Sequence, residues 1–468
     1  MDIACRSETI CAIATPIGIG GIGIIKISGP DALIILQKIF APSRSSPFPP
    51  PSHKLTYGWI VDPATGTAVD EVLASYMAGP RSYTGEDVVE INCHSGYAVL
   101  NRILTLVLSQ GARLARPGEF TLRAFLNGRL DLSQAEAVVD VIHARSEKAL
   151  EAAGRQLRKG LGEAVSRWRE ELLDVEARLE AQMDFPDDMD AESDVSPVED
   201  LAMRVERHML PAVRTILDHY DESRVLREGL SVVLVGKPNV GKSSLLNALV
   251  GQDRAIVTPI AGTTRDVIED GFLVGGLWVR VLDTAGIREE PDVIESLGIE
   301  RTLRSVDEAD LVLWVVDQSR PLDGDDDRIE ERTRPKRRLV VLNKSDCPAV
   351  TTAQAISARY ALSEPIFPLC AHDPQDVQRL KAFLEDRFLR EMILGAESTF
   401  AVNVRQKECL ERAAEALVAA LDVARTQGLP ELVSEEIRTA RLALEEILGL
   451  HVDEAVLDRI FSRFCIGK

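Results

Sequence analysis

Aromatic residues make up only 5% of this 468-residue chain, and no uninterrupted apolar run approaches the roughly 20 residues needed to cross a bilayer. The first shortage favours helix-rich aliphatic cores over β-sandwiches. The second, together with a start, MDIACRSETI, that has neither a basic stretch nor an apolar one, leads us to expect a cytoplasmic protein without leader or membrane anchor. Positive charge is also short: 54 Lys and Arg stand against 74 Asp and Glu, a formal net charge of −20. Such a chain repels phosphate backbones as a whole, so any RNA contact must be local or shared with a partner. The seven cysteines contain no C-x-x-C pair, which argues against a structural zinc site and a disulfide framework and predicts reduced, mostly buried thiols. What remains is ample aliphatic material, 45% hydrophobic residues, enough at about 150 residues per domain for roughly three domains.

Three textures follow one another along the chain. Residues 1–128 are rich in Gly, Pro and short β-type runs (AIATP, GIIKIS, EVLASYMAG, EDVVEINCHSG) and read as a small α+β domain, with the proline-rich 41–52 as a surface loop. Over 129–228, apolar residues recur at helical spacing through Val139, Ile142, Leu150 and Leu157, and Ser133 with Glu136 has the spacing of a capping box. The acidic, proline-containing 184–200 lacks the spacing of a calcium loop and reads as a solvated connection between helices. Short apolar runs alternating with helical segments over 229–388 (SVVLVG, VRVLDTAG, DLVLWVVD, RLVVLNKSD, EPIFPLCA) predict an open α/β sheet, and helical spacing returns over 389–468. The expected fold is therefore multidomain: an α+β N-terminal domain, a discontinuous helical domain, and an α/β P-loop GTPase domain inserted into it.

The chemistry sits in the inserted part. Gly236-Lys237-Pro238-Asn239-Val240-Gly241-Lys242-Ser243 matches G-x-x-x-x-G-K-S between a strand-like and a helix-like run, where backbone N–H groups cradle phosphates. Lys242 can bridge the terminal phosphates and Ser243 can give an oxygen to Mg²⁺; Asn239, Val240, Gly241 and Ser244 complete the expected contacts. Asp283-Thr284-Ala285-Gly286 ends a strand, where the carboxylate can hold magnesium through water and the Gly286 N–H can sense the γ-phosphate. Asn343-Lys344-Ser345-Asp346 ends another; the Asp346 carboxylate can accept both N1–H and N2–H₂ of guanine, a pair that adenine does not offer. Unpaired buried polar groups reject a wrong ligand by about 10⁴-fold, so the base is expected to be guanine. The loop RAIVTPIAGTTRD (254–266) lies where a switch must reach the γ-phosphate, with Thr264 as second magnesium ligand. For the last guanine-contacting loop, Ser357-Ala358-Arg359 has the usual residue types and Cys370-Ala371 the usual context, strand before and helix after; we favour the latter.

Two further signals are set aside. Gly18 to Gly23 fits G-x-G-x-x-G, but a strand-like run follows where a dinucleotide fold needs a helix. The basic run RTRPKRR (332–338) reads as a solvated helix end rather than an RNA contact.

The order GKPNVGKSS, AIVTPIAGTTRD, DTAG and NKSD resembles the TrmE-Era branch of translation-factor-like GTPases, and the flanks narrow this further. ATPIGIGGIGIIKISG, SYTGEDVVEI, RPGEFTLRAFLNGRLDLSQAEAV and the terminal Phe464-Cys465-Ile466-Gly467-Lys468 are similar to the MnmE (TrmE) family over essentially the whole chain. The resemblance implies an N-terminal domain that binds folate and dimerises. It implies GTP hydrolysis coupled, with an FAD-binding partner of the MnmG type, to installing an aminomethyl-type group at C5 of the wobble uridine of certain tRNAs. A 5-formyl or 5,10-methylene tetrahydrofolate supplies the one-carbon unit, FAD enters only through the partner, and the tRNA is held largely by that partner, which suits the acidic charge.

Site residues carry over by position. Ile287 stands where many GTPases place a water-orienting glutamine. The family implies instead a K⁺ ion held by Asn239, Thr258, Ile260 and Thr263, with Pro259, Ala261 and Gly262 completing the nucleotide-contacting switch, and Glu295 as the acid that positions water. Folate contacts fall on Lys26, Glu90, Arg129 and Lys468: cations for its glutamate tail, a carboxylate for a pterin amidine edge. Cys465 is by packing a small buried hydrophobe beside Phe461 and Phe464, and by family a functional thiol. The rival readings are an RNA-binding ribosome-assembly switch, which calls for a basic module after the GTPase domain where this tail is acidic, and a folate-dependent transferase with a merely regulatory GTPase domain.

Overall fold

The computed structural model describes residues 8–16, 18, 20–43, 47–158, 160–184, 197–251, 271–282, 305–362, 365–390, 400–426 and 429–468. Its N-terminal part is a seven-stranded sheet in the order β3-β4-β5-β6-β2-β1-β7, antiparallel except for the β1–β7 pair. The strands are β1 (Ile10–Ile13), β2 (Ile22–Ser28), β3 (Phe40–Pro42), β4 (Lys54–Val61), β5 (Ala68–Met77), β6 (Val88–His94) and β7 (Arg113–Leu114). Helices α1 (Ala32–Ile39) and α2 (Tyr97–Ser109) bury Ile35, Leu36, Ile39, Leu100, Ile103 and Val107 against Ile25, Ile27 and Ile91. The opposite face is covered at β1 and β2, where Ile10 and Ala12 pack with Phe120, but open at β4 and β5: Leu55, Tyr57 and Trp59 alternate along β4 beside Leu73 of β5, all exposed. Gly58 interrupts the β-branched texture of β4, because a Cβ there would lie 2.4 Å from the Ala41 carbonyl oxygen. The glycines at 18–23 lead into β2, a strand, as their context predicts.

The helical part comes from both ends of the chain. The first half holds α3 (Glu119–Leu126), α4 (Leu132–His143), α5 (Glu147–Leu157), α6 (Gly160–Asp184), α7 (Pro197–Arg204), α8 (Leu210–Asp218) and α9 (Tyr220–Glu228). One wide turn, Val205–Met209, joins α7 to α8. Leu161, Leu172 and Leu179 of α6 share one apolar core with Met209, Val213, Leu410, Leu417, Ile437 and Leu444, the last four belonging to the chain's far end. The capping box of α4 is two residues earlier than its sequence spacing suggests. Asp131 is the N-cap and Gln134 its reciprocal partner, while Ser133 Oγ donates to Asp131 Oδ1 at 2.6 Å. Glu136 is thereby released for a long-range ion pair. The core of the acidic connection, 185–196, lies outside the described residues.

Gly229 turns the chain from α9 into the third part, with φ +87°, where a Cβ would lie 2.5 Å from the Trp278 carbonyl oxygen. A six-stranded sheet follows in the order β13-β12-β11-β8-β10-β9. Parallel strands β10 (Leu277–Leu282), β8 (Leu230–Val235), β11 (Leu311–Asp317), β12 (Arg338–Asn343) and β13 (Ile366–Leu369) are flanked by an antiparallel edge, β9 (Gly271–Val274). β8, β11 and β12 are buried along their whole length, the signature of strands covered on both faces. The helices here are α10 (Lys242–Gly251), α11 (Gly324–Thr333), α12 (Ala353–Tyr360) and α13 (Pro374–Leu384). Beyond them lie α14 (Val404–Thr426), α15 (Pro430–Leu448) and α16 (Glu454–Phe461). Ala152 of α5 and Val225 and Leu226 of α9 enter the same apolar cluster as β8 and β10, so the helical part supplies one wall of the sheet's core.

Candidate functional site

All five parallel strands run toward the same edge, and the loops leaving β8, β12 and β13 there build one cleft. The loop between β8 and α10 needs unusual backbone: Asn239 lies at φ 63° and Gly241 at φ +100°. A Cβ on Gly241 would sit 2.2 Å from Asn343 Nδ2, so glycine is what lets the β12 loop approach. The buried Asn343 amide bridges both sides: Nδ2 donates to the Val240 carbonyl at 2.8 Å, and Oδ1 accepts from the Ala371 N–H at 3.1 Å. Lys344 Nζ donates to the Asn239 carbonyl at 2.9 Å and to Asp317 Oδ2 at 2.7 Å. Burial opposes ionisation of Asp317, but bonds from Lys344 and Ser319 outweigh it and hold its carboxyl below the ordinary range.

Gly241, Ser244, Asn343, Asp346, Cys370 and Ala371 line a cleft of about 140 Å³. Cys370 and Ala371 follow β13, and the Cys370 N–H is fixed by Asp376 Oδ2 of α13 at 2.8 Å. The other candidate segment, Ser357 to Arg359, sits inside α12, with Arg359 bound to Asp327 Oδ2 at 2.7 Å. Lys242 Nζ donates to the carbonyls of Gly236 and Lys237 at 2.8 and 2.9 Å, and burial lowers its pKa. An anion brought to this ammonium recovers that cost. Ser243 stands next to it in the first turn of α10, where its hydroxyl is of the right chemistry and place for Mg²⁺, which supplies charge neutralisation to bound phosphates. Thr258, Pro259, Ile260, Ala261, Gly262, Thr263, Thr264, Asp283, Thr284, Ala285, Gly286 and Glu295 lie outside the described residues.

A second constellation forms on the N-terminal sheet. Lys26 of β2 and Glu90 of β6 are register partners, with Nζ 3.7 Å from Oε1. Burial lowers the Lys26 pKa; Glu90 works against that and Lys468 adds to it. Arg129 donates to the Tyr83 carbonyl at 3.0 Å. The Tyr83 ring carries two cations, Lys26 Nζ at 5.3 Å and Arg129 Cζ at 5.1 Å from its centroid. The chain's last residue reaches the same place: the Lys468 carbonyl accepts from Phe120 N–H at 3.2 Å, and Phe120 is also 5.5 Å from Lys26 Nζ. Tyr83 and Phe120 are not among the residues that the sequence singles out; the cues available are Tyr83 within SYTGEDVVEI and Phe120 within RPGEFTLRAFL. Cys465 is half-buried, and its carbonyl accepts from the N–H of Gly118 and Lys468 at 3.5 and 3.3 Å.

Other sequence signals settle into packing. Of six described cysteines, Cys11, Cys93 and Cys409 are buried and three are half-buried, fewer buried thiols than expected. In the basic run, Arg334 and Arg338 bind Glu330 and Arg337 lies 5.4 Å over the Phe388 ring, so these cations are engaged within the fold. No described helix is long and apolar enough to cross a membrane.

The glycine-containing loop between a buried parallel strand and a helix, with the Asn343 bridge at its side, defines a P-loop nucleotide-binding protein of the GTPase class. Residues 132–465 match the family described as the MnmE helical domain, and residues 9–129 match the GTP-binding protein TrmE N-terminus. The tRNA modification GTPase MnmE of Syntrophobacter fumaroxidans is 56% identical over 98% of both chains, and that of Carboxydothermus hydrogenoformans is 43% identical over 98% of this chain and 99% of its own. A solved structure of Era with MgGDPNP and a 16S ribosomal RNA segment covers 50% of this chain and 98% of that one at 23% identity, with a TM-score of 0.24. The chain belongs to the MnmE family of tRNA modification GTPases.

Proposed function

We propose that this GTPase works with an FAD-binding protein of the MnmG type to install an aminomethyl or carboxymethylaminomethyl group at C5 of the wobble uridine of certain tRNAs. A 5-formyl or 5,10-methylene tetrahydrofolate is the one-carbon source, and the reaction takes place in the cytoplasm. The observation that carries this reading is the convergence of Glu90 and Lys468 on Lys26, which shares the Tyr83 ring with Arg129. Cations for a dicarboxylate tail, a carboxylate for an amidine edge and an aromatic ring for stacking are the groups a reduced folate calls for. The half-buried Cys465 adjoins that constellation through the docked C-terminus and is the thiol assigned to the modification.

In the nucleotide site, Lys242 and the N–H groups of the loop receive the phosphates, Ser243 and Thr264 hold Mg²⁺, and Asp346 reads guanine together with Cys370 and Ala371. A K⁺ ion held by Asn239, Thr258, Ile260 and Thr263 takes the place of the missing glutamine chemistry, and Glu295 positions water. Hydrolysis that runs equally fast in Na⁺ and K⁺ would remove that assignment. The open face bearing Leu55, Tyr57, Trp59 and Leu73 supports a homodimer through the N-terminal sheets, which with two partner subunits makes a heterotetramer. The tRNA is held largely by the partner, in keeping with the net charge of −20.

The deciding experiment is mass spectrometry of tRNA nucleosides from cells lacking this gene and from cells given back the wild type or Cys465→Ser. Loss of a C5-modified wobble uridine that only the wild type restores is the expected result. Unchanged nucleosides, with no second modifying enzyme present, would overturn the proposal and leave a ribosome-assembly switch as the reading to pursue.

A further inference from the structure

Lys237, the second residue of the phosphate loop, spends its side chain on two carboxylates outside that loop. Nζ lies 2.9 Å from Asp323 Oδ2 and 2.6 Å from Asp326 Oδ2. These acids are the two halves of the capping box of α11: Asp323 is the N-cap, and Asp326 Oδ2 accepts from the Asp323 N–H at 3.0 Å. The pair is well shielded, with 15% of the Lys237 side chain and 3% of that of Asp326 exposed. Burial works against the Lys237 charge, but the two carboxylates outweigh it and raise the pKa.

The helix they cap is itself fixed. Asp327 takes Arg359 Nη2 at 2.7 Å and the Tyr360 hydroxyl at 2.9 Å from α12, and Glu330 takes the buried Arg338 of β12 at 3.3 Å. The loop is likewise held at its other carbonyls: Lys242 grips those of Gly236 and Lys237, Lys344 that of Asn239, Asn343 that of Val240. Backbone at positive φ, as at Asn239, persists where its surroundings over-determine it. Lys237 is the attachment to α11.

We propose that Lys237 is a positioning residue for GTP hydrolysis, clamping the phosphate loop to the N-terminus of α11 while offsetting part of the charge of two carboxylates that otherwise repel the nucleotide's phosphates. The charge argument is specific. Without the ammonium, both acids sit beside a loop whose task is to bind polyphosphate, and Asp326, shielded where Asp323 is exposed, is the one that solvent screens weakly.

The test is affinity for fluorescent GDP and a non-hydrolysable GTP analogue, with kcat and KM for GTP, in the full-length protein. Lys237→Ala is expected to weaken both nucleotides about tenfold with KM rising in step, and Lys237→Arg to stay within about threefold of wild type. Lys237→Ala combined with Asp323→Asn and Asp326→Asn is expected to bind at least threefold tighter than Lys237→Ala alone. A purely structural cap predicts the opposite order, because the triple variant has lost more of it. Wild-type affinity in Lys237→Ala, or a triple variant no tighter than the single one, overturns the proposal. If Lys237→Ala does not fold, Lys237→Gln reads the same loss of charge.

Discussion

Arg405 and Glu136, 269 residues apart in sequence, face each other as a two-pronged ion pair: Nε to Oε1 at 2.9 Å and Nη2 to Oε2 at 2.8 Å. Gln406 Nε2 adds a third donor to the same carboxylate at 2.6 Å, and Arg405 Nη1 reaches the Glu446 carbonyl at 2.6 Å. The pair joins α4 of the first helical half to α14 and α15 of the second. A parallel network, Arg441 between Glu176 and Glu445 with Arg169 on Glu445, ties α6 to α15. The inserted sheet domain thus hangs from a frame closed by charge pairs as well as by leucines.

Removing one member of a shielded pair leaves the other without its counter-ion, at a cost of about 3 kcal/mol. Glu136→Ala is therefore expected to lower the unfolding free energy by that order, read as a lower denaturant midpoint, and Glu136→Gln by less, since the amide still accepts from Arg405. The measurement is urea unfolding followed by circular dichroism. A midpoint unchanged in Glu136→Ala would mean the pair contributes nothing net.

Asp346 shares its cleft with Asn343, Cys370 and Ala371. Replacing its carboxylate by an amide sets N–H₂ against the N2–H₂ of guanine, while the C2 carbonyl of xanthine becomes a fitting acceptor. Asp346→Asn is expected to lose GDP affinity by about 100-fold or more and to gain affinity for xanthosine diphosphate. Competition binding with the two nucleotides checks it, and an unaltered preference for GDP would remove Asp346 from base recognition.

Asp140 of α4 is pushed up to about 6: burial disfavours its charged form, Arg227 opposes this, and Glu136 and Glu228 reinforce it. A carboxyl whose folded pKa exceeds its unfolded one binds the proton more tightly when folded, so its ionisation costs stability. That cost is absent only well below the ordinary carboxylate range, grows as pH rises through about 4 toward 6 and is complete above about 7, reaching on the order of 3 kcal/mol. Asp140→Asn is expected to raise the melting temperature at pH 7.5 and to raise it by clearly less near pH 4.5. Equal gains at both pH values would show that packing, not ionisation, sets the effect.

The amino-acid order by itself determined the nucleotide-binding elements. Their spacing between strand-like and helix-like runs is local chemistry, since a phosphate loop needs its glycines and lysine within eight consecutive residues. It also showed that an α/β segment interrupts a helical one, because apolar periodicity changes within a few residues at Leu230. Only the tertiary structure decided what touches across distance. It placed the α4 cap at Asp131 with Gln134 as its partner, not at Ser133, and put Glu136 instead against Arg405 from the other half of the chain. It revealed β4, whose glycine masks its strand character until Phe40 and Ala41 are seen packed on it. It seated Lys468 beside Phe120 and Lys26, joining the two ends of the chain. Long-range pairs of this kind leave no period in the sequence: a lysine, a carboxylate or a phenylalanine has the same letters whether solvated or buried beside a partner hundreds of residues away.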